Sequence, residues 1–149
     1  MFRPRRILLA VDFSPRAKVA LAWIAQLVAG MRNASVHFVH AIPLDTTIVV
    51  APPPPAATKL REKLLRQKLT RWLRSRLPRH VKTDITLRDG FPVDVIMSAV
   101  RDVKPDLLVM TTRGRYGLAR LLKGSITEQV VRKVRCPVMI LHDPAGSRS

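Results

Sequence analysis

Two kinds of hydrophobic pattern alternate along this chain. Ile7-Leu8-Leu9-Ala10-Val11 is an unbroken apolar run of strand length, as expected of a strand covered on both faces. Ser14-Pro15 then offers an N-cap followed by proline at the first helical position. Ala17, Ala20, Leu21, Ile24 and Leu27-Val28 continue at helical spacing towards Gly30. Val36 to Ile42 predicts a second strand. Residues 43–57, with Pro52 to Pro55, predict a long stiff connection, either a flap or a plain surface connector. A basic helix is expected over residues 59–77, with Leu60, Leu64-Leu65, Leu69, Trp72-Leu73 and Leu77 as its apolar stripe and Pro78 as its stop. Val81, Thr83, Ile85 and Leu87 alternate with polar residues, the signature of a half-exposed strand. Val93, Ile96-Met97, Val100 and Val103 mark another helix, closed by Lys104-Pro105. A strand over 107–111, a helix over Ile126 to Val134 and a strand at Val138-Met139-Ile140-Leu141 complete the pattern, and the polar tail from Asp143 is expected to fray.

Strand–helix alternation repeated in this way means an α/β domain: a parallel sheet with helices on both faces, three layers in all, spanning residues 1–149 as one unit. The alternating third strand belongs at an edge, and the wholly apolar first and fourth belong in the middle, as in a five-stranded order 3-2-1-4-5. Such sheets bind ligands at the carboxyl ends of the central strands, where the strand order reverses. The last strand is then the other edge, yet it is apolar on both faces. Exposed apolar edges pair with other chains, so a homodimer across Val138 to Leu141 is expected.

The candidate chemistry lies in the run from Met110 to Ser125. It carries Gly114, Gly117 and Gly124 between a buried strand and a helix N-terminus. Converging backbone N–H groups and the helix dipole make such a loop an anion cradle. The same residues also have a plainer reading. Ser125-Ile126-Thr127-Glu128 is a capping box, and Gly114 and Gly117 are ordinary turn formers. No G-x-G-x-x-G and no glycine–four residues–Gly-Lys-Ser/Thr pattern is present. Asp12 ends the first strand at the expected crevice, where it either meets a ligand or bonds the turn before Ser14-Pro15. His37 and His40 fall on opposite faces of one strand, and the four histidines and the single Cys136 lack zinc spacing. Nor do the residues suggest a nucleophile–base–orienter set, so a binding module is expected rather than an enzyme.

The net charge of +17 changes the picture at one place. Between Lys59 and Lys82, Glu62 is the only acid among Lys59, Arg61, Lys63, Arg66, Lys68, Arg71, Arg74, Arg76, Arg79 and Lys82. That stretch is either a solvated helix face or a salt-dependent, sequence-blind contact for polyanions. No apolar run approaches the ~20 residues of a membrane span, so no membrane partner is expected. The basic start, Arg3-Pro4-Arg5-Arg6, precedes an apolar run too short for a signal peptide. With a lone cysteine fitting a reducing compartment, a cytoplasmic protein is expected.

Taken together, these residues resemble the universal stress protein family over nearly the whole chain. The resemblance rests on Ile7-Leu8-Leu9-Ala10-Val11-Asp12-Phe13-Ser14, Val39-His40-Ala41, Asp106 to Thr112 and Arg135-Cys136-Pro137-Val138. Nucleotide-binding members carry glycine–two residues–glycine–nine residues–glycine–serine or threonine. Gly114 matches the second glycine and Gly124-Ser125 the terminal pair, while Thr111 stands in place of the first glycine. The resemblance implies a flavodoxin-like, adenine-nucleotide-hydrolase-like sandwich, a stress-response role, ATP (with Mg²⁺) as ligand, and dimerisation through the last strand. It places Ala10, Val11, Asp12, Ala41, Met110, Thr111, Gly114, Gly124, Ser125 and Ile126 at the nucleotide. Within that set Asp12 stands near ribose or metal and Ala41 lines the adenine pocket, with Arg113, Arg115 and Lys123 as counter-charges to phosphate. A branched Cβ at Thr111 would intrude where the family glycine lets the ligand approach, at a cost of ~1–3 kcal/mol in affinity. If the site is lost there, the alternative is a nucleotide-free stress protein acting by protein contacts.

Overall fold

The computed structural model describes residues 2–42, 54–112 and 124–142. In chain order its elements are β1 (Arg6–Ala10), α1 (Pro15–Val28), β2 (Ser35–Ile42), α2 (Pro55–Arg74), β3 (Lys82–Asp89), α3 (Pro92–Val103), β4 (Leu107–Thr112), α4 (Ile126–Lys133) and β5 (Val138–His142). The strands form one parallel sheet in the order β3-β2-β1-β4-β5, the expected α/β architecture. β1 registers Leu8 against His37 on one side and Leu108 on the other. Asp106 pins the amino end of the sheet: its carboxylate accepts the Arg5 and Arg6 amides at 3.0 and 2.8 Å.

Residues alternate between the two faces of each strand, and the two faces carry separate cores. Ile7, Leu9, Val36, Phe38, Leu107 and Val109 pack under α1 and α2, through Leu21, Ile24, Leu69 and Leu73. Leu8, Val39, Leu108 and Met110 pack under α3 and α4, through Val93, Ile96, Ala99 and Val130. The three layers follow directly from that division.

The second helix departs from expectation at both ends. It begins at Pro55, inside the segment expected to be a connection, because proline is preset for the first helical turn and Pro54 accepts the Ala57 amide at 2.9 Å. It ends at Arg74 rather than at Pro78: the Ser75 amide caps Arg71 and Leu73, and Leu77 is buried beyond the helix. Its stripe is divided. Leu69 and Leu73 are fully buried, whereas Leu60 and Leu64 are 57% and 56% exposed. On a helical wheel Leu60 lies roughly opposite Leu69, so one helix cannot bury both against the same sheet.

Candidate functional site

The strand order reverses between β1 and β4, and their carboxyl ends form the edge where this topology places a ligand crevice. β1 gives way at Val11, whose amide still bonds Val39 O at 3.0 Å. Asp12 then turns the chain: its Oδ1 accepts the Ser14 amide at 2.9 Å and its Oδ2 lies 3.8 Å from Arg16. The turn-bonding role of Asp12 is therefore real, and it leaves the carboxylate exposed at the crevice.

Phe13 follows with φ +58°, a left-handed conformation uncommon for a residue with a side chain. Packing holds it there. Its ring meets His40 edge-on at 4.5 Å, and Lys68 Nζ lies 5.5 Å from the ring centre. His40 Nδ1 lies 2.7 Å from Val11 O. Since a carbonyl only accepts, Nδ1 carries the proton in this bond. The Phe13–His40 pair, missed in sequence because both residues read as ordinary strand-end positions, braces the β1 turn from the α1/α2 side.

Alternation sorts the remaining candidates. Ala10, Ala41 and Met110 face α3 and α4, where Ala10 and Ala41 pack beside Met110 against Leu8 and Val39. They form an apolar floor at the carboxyl edge. Val11 packs with the α1/α2 core instead. Thr111, two residues after Val109, shares that opposite face and registers against Leu141. Thr111 lies within β4, outside the positive-φ positions, so the backbone there accommodates a β-branched residue without strain.

At the far side of the crevice stands the N-terminus of α4. In a right-handed β4–α4–β5 crossover the helix runs antiparallel to the strands, so its N-terminus comes to their carboxyl edge. Gly124 adopts φ +76°, and a Cβ there would meet nothing within 4 Å, so glycine answers a conformational need. Ser125 Oγ accepts the Glu128 amide at 3.0 Å, while the Glu128 carboxylate takes the Gly124 amide and the Arg132 guanidinium. The capping reading of this segment is thus observed. Ile126 is exposed at the same helix start. Gly114, Arg113, Arg115, Gly117 and Lys123 lie outside the described residues.

Two other groups fall outside the site. Cys136 is half-buried, and burial raises its thiol pKa, as befits a small apolar side chain rather than a nucleophile. His37 sits between β2 and β3, 2.7 Å from Thr86 Oγ1 and 3.6 Å from Asp84. Burial lowers its pKa more than Asp84 and Asp102 raise it. Among the described residues no three His, Cys, Asp or Glu converge as a metal site, and no helix is long and apolar enough to cross a membrane.

Sequence and structure together define a class: an α/β protein whose strand order reverses between β1 and β4, with Ala10, Ala41 and Met110 along that carboxyl edge and a capped helix starting beyond it. The profile of the universal stress protein family matches residues 4–142. The chain belongs to the universal stress protein family. It is 33% identical over 138 residues to a universal stress protein of Thermus aquaticus, covering 92% of this chain and 98% of that one. A universal stress protein of Mycobacterium tuberculosis is 30% identical over 138 residues, where the chain spans only 45% of its relative. Among solved structures, a universal stress protein in complex with cAMP aligns over 95% of this chain and 98% of its own, with a TM-score of 0.60 and 24% identity. An Arabidopsis thaliana family member with AMP bound aligns over 95% and 94%, with a TM-score of 0.63 and 21% identity.

Proposed function

We propose that this protein is a stress-response binding module that holds an adenine nucleotide at the carboxyl edge of β1 and β4, with ATP and Mg²⁺ as the full ligand. The observation carrying this reading is the apolar floor of Ala10, Ala41 and Met110 lying beside Asp12 and opposite the Gly124-Ser125 start of α4. A flat base fits the floor, and a phosphate fits a helix N-terminus. The solved relatives with cAMP and AMP point to the same ligand class. Mg²⁺ would arrive on the triphosphate, with Asp12 as the carboxylate at that edge. The Thr111 side chain lies on the other side of the sheet from the floor, so losing the first motif glycine leaves the floor intact.

Calorimetry with ATP and Mg²⁺ tests this reading. Binding is expected, and Thr111→Gly is expected to change the affinity by less than about threefold, since the side chain removed lies across the sheet. Absence of heat and of any thermal shift at millimolar nucleotide would leave the alternative, a family member acting by protein contacts alone. A tenfold gain in Thr111→Gly would put the threonine methyl in the ligand's path.

A further inference from the structure

β4 is an apolar strand, Leu107-Leu108-Val109-Met110, that ends in two threonines. Thr112 is only 8% exposed, and its Oγ1 is buried without a hydrogen-bond partner among the described residues. A buried hydroxyl left unpaired is destabilising, and valine has the same shape without that penalty.

The position of Thr112 says what the missing partner is. Two residues beyond Met110, it faces the α3/α4 side, the face of the apolar floor. It registers against His142 of β5 and stands at the rim of the crevice, across from the end of β1 where Asp12 turns the chain. A ligand with its base on Ala10, Ala41 and Met110 and its far end at the start of α4 would pass the end of β4 on the face that carries this side chain. The group at the middle of such a ligand is the phosphate attached to the ribose. A β-branched side chain is held in few rotamers, so its hydroxyl presents a steady donor.

We infer that Thr112 is a ligand-contacting residue whose hydroxyl donates to the phosphate nearest the ribose. This rests on the adenine-nucleotide reading above and adds to it a discrimination between nucleotide and nucleoside. The experiment is calorimetric titration of the full chain with AMP and with adenosine, for the wild type, Thr112→Val and Thr112→Ser. Thr112→Val is expected to lose about tenfold in AMP affinity, the size of one hydrogen bond to a charged group, while adenosine affinity stays within twofold. Thr112→Ser, which keeps the hydroxyl, is expected to retain AMP binding within about threefold, as one donor is conserved. Thermal unfolding of Thr112→Val at or above the wild-type temperature establishes that the fold is intact. AMP binding unchanged in Thr112→Val overturns the inference and leaves the nucleotide site standing. Equal losses for AMP and adenosine overturn the phosphate assignment. A wild type that binds neither compound overturns the nucleotide reading itself.

Discussion

Thr111 and Thr112 are neighbours of identical chemistry on opposite sides of one sheet. Read as a motif, Thr111 is the residue that damages a nucleotide site, because it replaces a glycine. The strand pleat turns its side chain toward the α1/α2 face and turns Thr112 toward the α3/α4 face. His37 shows another consequence of local environment. Its folded pKa is lowered by burial, so between that value and the unfolded value of about 6.5 the unfolded chain binds more protons. The stability that neutral His37 contributes is therefore complete above about pH 6.5 and lost as pH falls through the folded value. Melting temperatures at pH 7.5 and 5 are expected to fall further in the wild type than in His37→Gln. Parallel curves would show that the imidazole carries no such linkage.

At the scale of elements, α2 is the instructive case. Its leucines all match a helical repeat, yet Leu69 and Leu73 are buried under the sheet while Leu60 and Leu64 face outwards among Arg61, Lys63 and Lys68. The energetic prediction follows from burial. Leu69→Ala is expected to cost about 2–5 kcal/mol, the range for a large-to-small core substitution. Leu60→Ser and Leu64→Ser together are expected to cost under about 1 kcal/mol, as exposed positions do. Denaturant unfolding of the two variants measures this directly. A double variant as damaged as Leu69→Ala would mean that the outward leucines are covered in solution. The charge of that face, with Glu62 already paired to Arg66 at 3.2 Å, is what any polyanion would meet.

For the whole molecule, the unresolved question of the sequence was the apolar edge strand. Val138 to Leu141 are half-buried in the single chain, and among the described residues β5 pairs only with β4 on its inner side. Ile126 and Val131 of the neighbouring α4 are exposed. These features support a homodimer in which two β5 edges face each other, removing the unpaired edge from water. Light scattering from low to high micromolar concentration is expected to return twice the chain mass. A single-chain mass throughout would remove the dimer and leave the edge to another partner.

The hydrophobic pattern determined the element order and the parallel sheet, and it put the third strand at an edge with the first and fourth in the middle; the apolar fifth strand at the other edge runs against that pattern. The burial of β1 and β4 is written in their apolar runs: Leu8 and Leu9 are both apolar because both faces of β1 are covered. Proline marked the start of α1 and the end of α3 as well. The turn bonded by Asp12 and the Ser125–Glu128 capping box were legible through motif and position. Tertiary structure decided matters in which two sites of equal local character differ only in what lies above them. Leu60 and Leu69 have the same side chain, and only the packing of α2 on the sheet separates them. Thr111 and Thr112 differ only by the pleat and by the layers it faces. The bracing of Phe13 by His40 and Lys68 joins residues from β2 and α2 to the end of β1, a contact between distant parts of the chain that no local pattern encodes.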